Sequence, residues 1–176
     1  VEILLDTLNS SNNGIALQGG RLTALMYADD IILVTNSKNK MLKLLRICED
    51  FGRRNAIKWN PDKSQLIRFP FRKRPPVSVY FCGAALEETN EIKYLGMLTT
   101  NDLRSQVHVD DRINKATRAV ASLRKHGWSS LVLSNRTKVT LFKTIIRPVL
   151  FYGMETLKLN QTQISRLQTF EGNTLK

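Results

Sequence analysis

Leu25-Met26-Tyr27-Ala28-Asp29-Asp30-Ile31-Ile32-Leu33-Val34 sets two adjacent carboxylates between two short apolar runs. Each run has the length of a strand and the second is rich in β-branched residues, so the stretch reads as a protein-covered hairpin with the acidic pair at its turn. Successive strand residues point to opposite faces. Asp29 and Asp30 therefore reach one site together only if the turn rotates one of them round. Two hard oxygen donors on a rigid support suit Mg²⁺, which takes few protein carboxylates and completes its shell with phosphate oxygens and water. The competing reading is a plain polar turn, since Asp is a common turn residue.

On the N-terminal side, Val1 to Leu8 carries a helical apolar pattern, read as the tail of a longer helix, and Ser10-Ser11-Asn12-Asn13-Gly14 stops it. Gly14 to Leu17 and Leu22 to Tyr27 read as strands joined at Gly19-Gly20. On the C-terminal side, Ser37 is a predicted N-cap. Met41, Leu44, Leu45, Cys48 and Phe51 then recur at helical spacing, with Lys38, Lys40, Lys43, Arg46 and Glu49 on other faces. Ile57 to Asn60 and Gln65 to Phe69 read as strands about a Pro61-Asp62 turn. The prolines and adjacent cations of Phe69 to Pro76 predict an exposed loop. Val77 to Cys82 and Ile92 to Leu98 read as strands flanking Gly83-Ala84-Ala85-Leu86. After Leu103 strand signals end. Ile113, Ala116, Val120 and Leu123 mark one helix, Ser134 to Ile146 a second that meets Pro148, and Gln161 to Phe170 a third.

The 176 residues are 42% hydrophobic, enough for a real core, and the net charge is +12. Eight of the twelve net charges fall after residue 100. One-sided positive charge favours a polyanion, nucleic acid before anionic membrane. Two cysteines and two widely spaced histidines make neither a disulfide framework nor a zinc pattern, which implies a reducing compartment, nucleus or cytoplasm. No apolar run approaches the roughly 18 residues of a membrane span.

Tyr27-Ala28-Asp29-Asp30 resembles the catalytic tetrad of reverse transcriptases, and with Ala second it is similar to that of non-LTR (LINE-like) retrotransposons and of group II intron proteins. Phe51-Gly52 and Ala56-Ile57-Lys58-Trp59-Asn60-Pro61-Asp62-Lys63-Ser64 resemble the family's next motif, a helix leading to Gly-Leu-x-Leu-Asn-x-x-Lys-Thr, with Ala56 in place of Gly and Trp59 in place of Leu. Lys93-Tyr94-Leu95-Gly96 resembles the Tyr-Leu-Gly primer-grip hairpin. Arg147 to Leu157 is similar to the thumb pattern Pro-x-Leu-x-Tyr-Gly-x-Glu-x-Trp of non-LTR elements, with Leu157 in place of Trp. By contrast, Gln18-Gly19-Gly20-Arg21-Leu22-Thr23 only mimics the nucleotide-selecting Gln-Gly-x-x-Leu-Ser element, since in the family a helix follows that element and here the acidic hairpin follows at once.

The resemblance implies an α+β fold, with an antiparallel palm-type sheet and packed helix over 1–100 and an α-helical thumb-like region over 101–176. It implies RNA-directed DNA polymerase chemistry on an RNA template, a DNA primer and deoxynucleoside triphosphates, with two Mg²⁺ ions or Mn²⁺ in their place and no membrane partner. Asp29 and Asp30 are the implied metal ligands and catalytic residues, with Lys63 a catalytic general acid beside the leaving pyrophosphate. Tyr27, Tyr94, Leu95 and Gly96 are implied to bind the primer, while the helical pattern and charge put Arg112, Lys115, Arg118, Arg124 and Lys125 on the nucleic-acid backbone. In the family a third carboxylate comes from an earlier palm strand, which together with the fingers would precede Val1. On that reading this chain alone would not extend a primer. A catalytically inactive retroelement remnant that only binds nucleic acid and an intron maturase-type enzyme are the alternatives.

Overall fold

A computed structural model describes residues 2–69, 77–128 and 133–175, arranged as two compact units, Val1–Thr89 and Asn90–Lys176. The architecture is α+β. Pro70–Pro76, most of the expected proline loop, lies outside the described residues.

The first unit opens with α1 (Glu2–Ser10), then β1 (Ile15–Leu17) and β2 (Gly20–Leu22). Leu17 pairs with Gly20, so the turn is Gln18-Gly19, one residue earlier than predicted, with Gly19 at φ +88°. Thr23, fully buried, breaks the expected long strand, and β3 (Ala24–Tyr27) pairs with β4 (Asp30–Leu33). Ser37 caps α2 (Lys38–Arg54), its hydroxyl accepting from the Lys40 amide. Leu44, Leu45 and Cys48 of that helix meet Leu4 and Leu8 of α1 and Ala24 of β3 in the core.

Ile57 to Asn60 forms no strand. Its groups are taken by α2 instead: the Ile57 amide donates to Gly52 O at 2.9 Å, and the Trp59 indole donates to Cys48 O at 2.8 Å. A Cβ on Gly52 would lie 2.4 Å from Trp59 Nε1, so the strap lies this close because Gly52 has no side chain. Trp59 also meets Phe81, their ring centroids 5.9 Å apart. Beyond the strap, Pro61–Lys63 makes a 3₁₀ turn, then come β5 (Gln65–Ile67), β6 (Tyr80–Phe81), β7 (Ala84–Ala85) and β8 (Glu87–Thr89). β6 and β7 pair antiparallel, β5 and β8 parallel. Among the described residues the strands associate only in pairs rather than in one sheet.

The second unit begins with β9 (Glu91–Tyr94) and β10 (Met97–Thr100), antiparallel. The expected single strand from Ile92 to Leu98 is thus a hairpin, folded at Leu95 (φ +47°) and Gly96 (φ +80°). Positive φ at both loop positions is the two-residue turn that matches strand twist. This hairpin packs on α3 (Ser105–Lys125), so it belongs with the helices rather than before a boundary at residue 100. Ser134 caps α4 (Asn135–Leu141). Ahead of Pro148 the helix widens into a π turn, Phe142–Ile146, and the Arg147 amide reaches back five residues to Phe142 O. Pro148 has no amide to donate, and the wider turn accommodates it as α5 (Arg147–Phe151) continues. The last helix, α6 (Gln161–Leu175), is longer than its apolar repeat predicts. Val109, Ala116, Phe142, Ile146, Leu150 and Leu167 form this unit's core. No helix among the described residues is long and apolar enough to cross a membrane.

The two thiols differ in burial. Burial, with smaller contributions from Glu49 and Cys82, pushes the buried Cys48 thiol up to about 12, while exposed Cys82 is raised by desolvation and by Glu49. The thiolate is the reactive form. A thiol reagent at pH 8 should therefore modify Cys82 in the native protein and Cys48 only once urea opens the core; two equally fast reactions would put Cys48 outside it.

Candidate active site and nucleic-acid surface

The β3–β4 register decides which face carries the carboxylates. Met26 pairs with Ile31 and Ala24 with Leu33, and these four turn toward the core. The opposite face therefore holds Leu25, Tyr27, Asp30 and Ile32. It is open rather than covered, with Leu25 and Tyr27 exposed. Tyr27 pairs with Asp30, which leaves Ala28-Asp29 as a two-residue loop with a positive φ only at Ala28, +52°. Asp29 thus stands outside the strand alternation while Asp30 heads β4, and both are exposed. An L-residue in that left-handed region costs roughly 1 kcal/mol or more, and such strain clusters at functional sites.

Strain of the same kind recurs in the other motifs, and also outside them at Asn12, Cys82 and Leu103. Ala56, where the family motif has Gly, lies at φ +54°, and Leu95 of the Tyr-Leu-Gly segment at +47°. In the first case the signal was legible, since the family's glycine marks a backbone that must turn left-handed. Lys63 closes the 3₁₀ turn, exposed, its amide donating to Asn60 Oδ1 at 3.3 Å; the Ser64 hydroxyl donates to Asn60 O at 2.9 Å. Asn60 thereby fixes the backbone that carries the lysine.

As a metal site the fit is partial. Asp29 and Asp30 are accessible oxygen donors on adjacent residues, but no group of three or more His, Cys, Asp or Glu among the described residues is placed to hold a metal ion. Two carboxylates could contribute to such a site and would need a further donor.

In the second unit the cations separate into two kinds. Arg118, Arg124 and Lys125 are exposed on α3. Arg112, expected beside them, is instead 6% exposed; it donates to Gly96 O and lies 4.8 Å from the Tyr152 ring centroid. Its guanidinium is engaged inside the unit, which corrects its reading as a phosphate contact. Lys115 is half-buried and bonded to Asp111 at 2.7 Å. Sequence reasoning also missed His108 and Tyr152. His108 is fully buried, accepting at Nδ1 from the Leu98 amide at 3.2 Å and facing Tyr152 O with Nε2 at 3.0 Å. The Tyr152 hydroxyl donates to Leu95 O at 2.7 Å. The only signal for these contacts was the Tyr-Gly pair itself, since Gly153 adopts φ +76° and a Cβ there would lie 1.8 Å from Met97 Sδ.

The hairpin's strained acidic turn, the capped lysine turn and the two-residue Leu95-Gly96 turn follow one another in the order that the resemblance implies. Residues 1–99 match the family model described as reverse transcriptase (RNA-dependent DNA polymerase). The chain belongs to that family. Its relatives point to mobile elements, in agreement with a non-LTR, LINE-like origin. It is 32% identical to a Drosophila melanogaster protein described as RNA-directed DNA polymerase from transposon X-element, over 89% of this chain and 18% of that one. The RNA-directed DNA polymerase from mobile element jockey of Drosophila funebris is 26% identical over 91% of this chain and 18% of its own length. An uncharacterised transposon-derived protein of Caenorhabditis elegans is 30% identical over 86% of this chain. The chain spans about half of this last relative, 54%. No solved structure matches the chain significantly.

Removing the Asn60 side chain tests the support of the lysine turn. Asn60→Ala should lower unfolding free energy by about 1 kcal/mol, the usual cost of a lost cap. Urea denaturation reads this directly, and an unchanged midpoint would show that the turn holds without Asn60.

Proposed function

We propose that this chain is the later palm and thumb-like part of an RNA-directed DNA polymerase that works within a longer polypeptide. Asp29 and Asp30 would supply two of its metal-binding carboxylates. The observation that carries the reading is the β3–β4 hairpin, which presents Asp29 and Asp30 exposed at a strained loop in a chain of reverse transcriptase ancestry.

The residues then divide the work. Asp29, in the loop, and Asp30, at the head of β4, are acceptor-only oxygens with access to solvent, suited to hold divalent metal. Mg²⁺ bound there would neutralise phosphate charge and lower the pKa of the primer 3′-hydroxyl, with Mn²⁺ able to replace it. The third donor and the nucleotide-selecting segment come from palm and finger residues outside this chain. Tyr27 presents its ring on the same open face as Asp30, where the primer-template end would lie. Lys63 places a flexible ammonium on a capped turn, able to offset charge on the departing pyrophosphate and to donate a proton to it. Tyr94, Leu95 and Gly96 support the primer backbone. Arg118, Arg124 and Lys125, with Lys115 beside them, neutralise phosphates of the RNA–DNA duplex without reading bases.

Two experiments bear on this reading. In a polypeptide joining this chain to the remaining palm and fingers, Asp29→Asn should abolish templated extension on an RNA template with Mg²⁺ while leaving primer-template binding nearly intact. Lys63→Ala should slow extension less. Near-normal extension by Asp29→Asn would return the pair to a polar turn and leave nucleic-acid binding as the function. Separately, Arg118, Arg124 and Lys125 replaced together by Gln should weaken binding of an RNA–DNA hybrid equally for unrelated sequences. The log affinity against log salt plot should also become shallower, by about 0.7 to 0.9 per lost phosphate contact. Coincident salt plots would exclude this face of α3.

A further inference from the structure

The Leu95-Gly96 turn is held from outside its own hairpin. A two-residue turn needs only its ladder to close, and here the Tyr94–Met97 pair already closes it. Yet both turn carbonyls receive an additional donor from the helical part of the unit. Leu95 O accepts from the Tyr152 hydroxyl at 2.7 Å, and Gly96 O accepts from Arg112 Nη2. These two donors are themselves stacked, the guanidinium carbon 4.8 Å from the phenol ring centroid. Buried His108 joins the same parts a second way, between the Leu98 amide of β10 and Tyr152 O. Two glycines leave room for the contact. A Cβ on Gly96 would lie 3.3 Å from the Tyr152 ring, and one on Gly153 would overlap Met97 Sδ.

This arrangement differs from ordinary core packing. Tyr152 is about half exposed, so burial of its ring is not why it lies there. Its hydroxyl, the stacked guanidinium and the imidazole are directional groups aimed at backbone, and backbone contacts fix height and angle more sharply than apolar contacts do. Arg112, from the middle of α3, and Tyr152, just after α5, together set where the turn stands on the helices.

We propose that Tyr152, Arg112 and His108 are positioning residues for polymerisation: they lock the primer-supporting turn onto the helical unit, so one body aligns the primer terminus and grips the duplex backbone. This rests on the polymerase reading above. The three act through Leu95 and Gly96 and touch no reacting atom.

The informative variant is Tyr152→Phe, which removes one hydroxyl from a half-exposed ring and leaves the fold intact. In the complete polymerase carrying this chain, kcat for extension should fall roughly three- to tenfold, the worth of one net hydrogen bond. KM for deoxynucleoside triphosphate and affinity for an RNA–DNA hybrid should stay unchanged, and Tm should fall by no more than the few degrees that one hydrogen bond is worth. Arg112→Lys keeps the charge but loses the planar fork and the stack, and should lower kcat further in the same sense. In the chain itself, amides of Met97 to Thr100 should exchange faster in Tyr152→Phe. An unchanged kcat would overturn the proposal, as would unchanged exchange or a parallel loss of kcat, hybrid affinity and Tm, which is how plain scaffolding behaves. Asp29→Asn in the same background separates the two levels. If it extends primers normally, the polymerase reading falls; if it is dead while Tyr152→Phe matches wild type, only the lock falls.

Discussion

Pairing of Tyr27 with Asp30 is the constraint on which the first unit turns. Side chains alternate along a strand, so a slip of one residue would carry either Ala24 and Met26 or Ile31 and Leu33 out of the core and send that strand's share of the opposite set in. That share includes Tyr27 or Asp30, whose polar end would be buried without a partner. The register is therefore fixed by Leu44, Leu45 and Cys48 of α2, against which the core face packs, as much as by the strands. Closing the loop in only two residues then forces Ala28 to a positive φ. Packing stabilises the strain, and the strain presents the carboxylates.

The second unit repeats this logic with different chemistry. Its hairpin also closes in two residues with a non-glycine at positive φ, Leu95. Here hydrogen bonds from Tyr152 and Arg112 hold the turn, where the first hairpin relies on apolar packing. Placing an arginine at 6% exposure is costly unless its donors find acceptors. Arg112 donates to a carbonyl through Nη2 and lies against an aromatic face, while its buried Nε makes no hydrogen bond and has only the charge of Asp111, whose Oδ2 is 3.6 Å away. Asp111 also binds Lys115, so the carboxylate neutralises the neighbourhood of two cations. The helix thus carries an inner cationic end tied to the hairpin and an outer one, Arg118 to Lys125, facing solvent.

Ahead of Pro148 the chain accepts a π turn rather than a break. The widened turn keeps Phe142 and Ile146 buried while delivering Tyr152 and Gly153 to the hairpin. A straight helix would step each later residue by a different angle, and the contacts of Tyr152 depend on that angle. Irregularity in α4 and α5 is thereby linked to the regularity of β9 and β10.

Much was legible in the sequence because it is local. The acidic hairpin, the Ser37 cap, the helix start at Ser134, the amphipathic α2 and α3 and the Pro61-Asp62 turn each depend on neighbours within a few residues, and period and capping chemistry report those neighbours. The motif order likewise identified the family. What sequence could not show is where long-range partners compete with local preference. Ile57 to Asn60 has the composition of a strand, but Gly52 and Cys48 of α2 capture its hydrogen bonds. Arg112 has the spacing of a solvent-facing cation, but the carbonyl of Gly96 and the ring of Tyr152, distant in the chain, turn it inward. Charge and periodicity determined which residues could face solvent or core; the tertiary structure decided which did, because a buried polar group goes where its hydrogen-bond partners are.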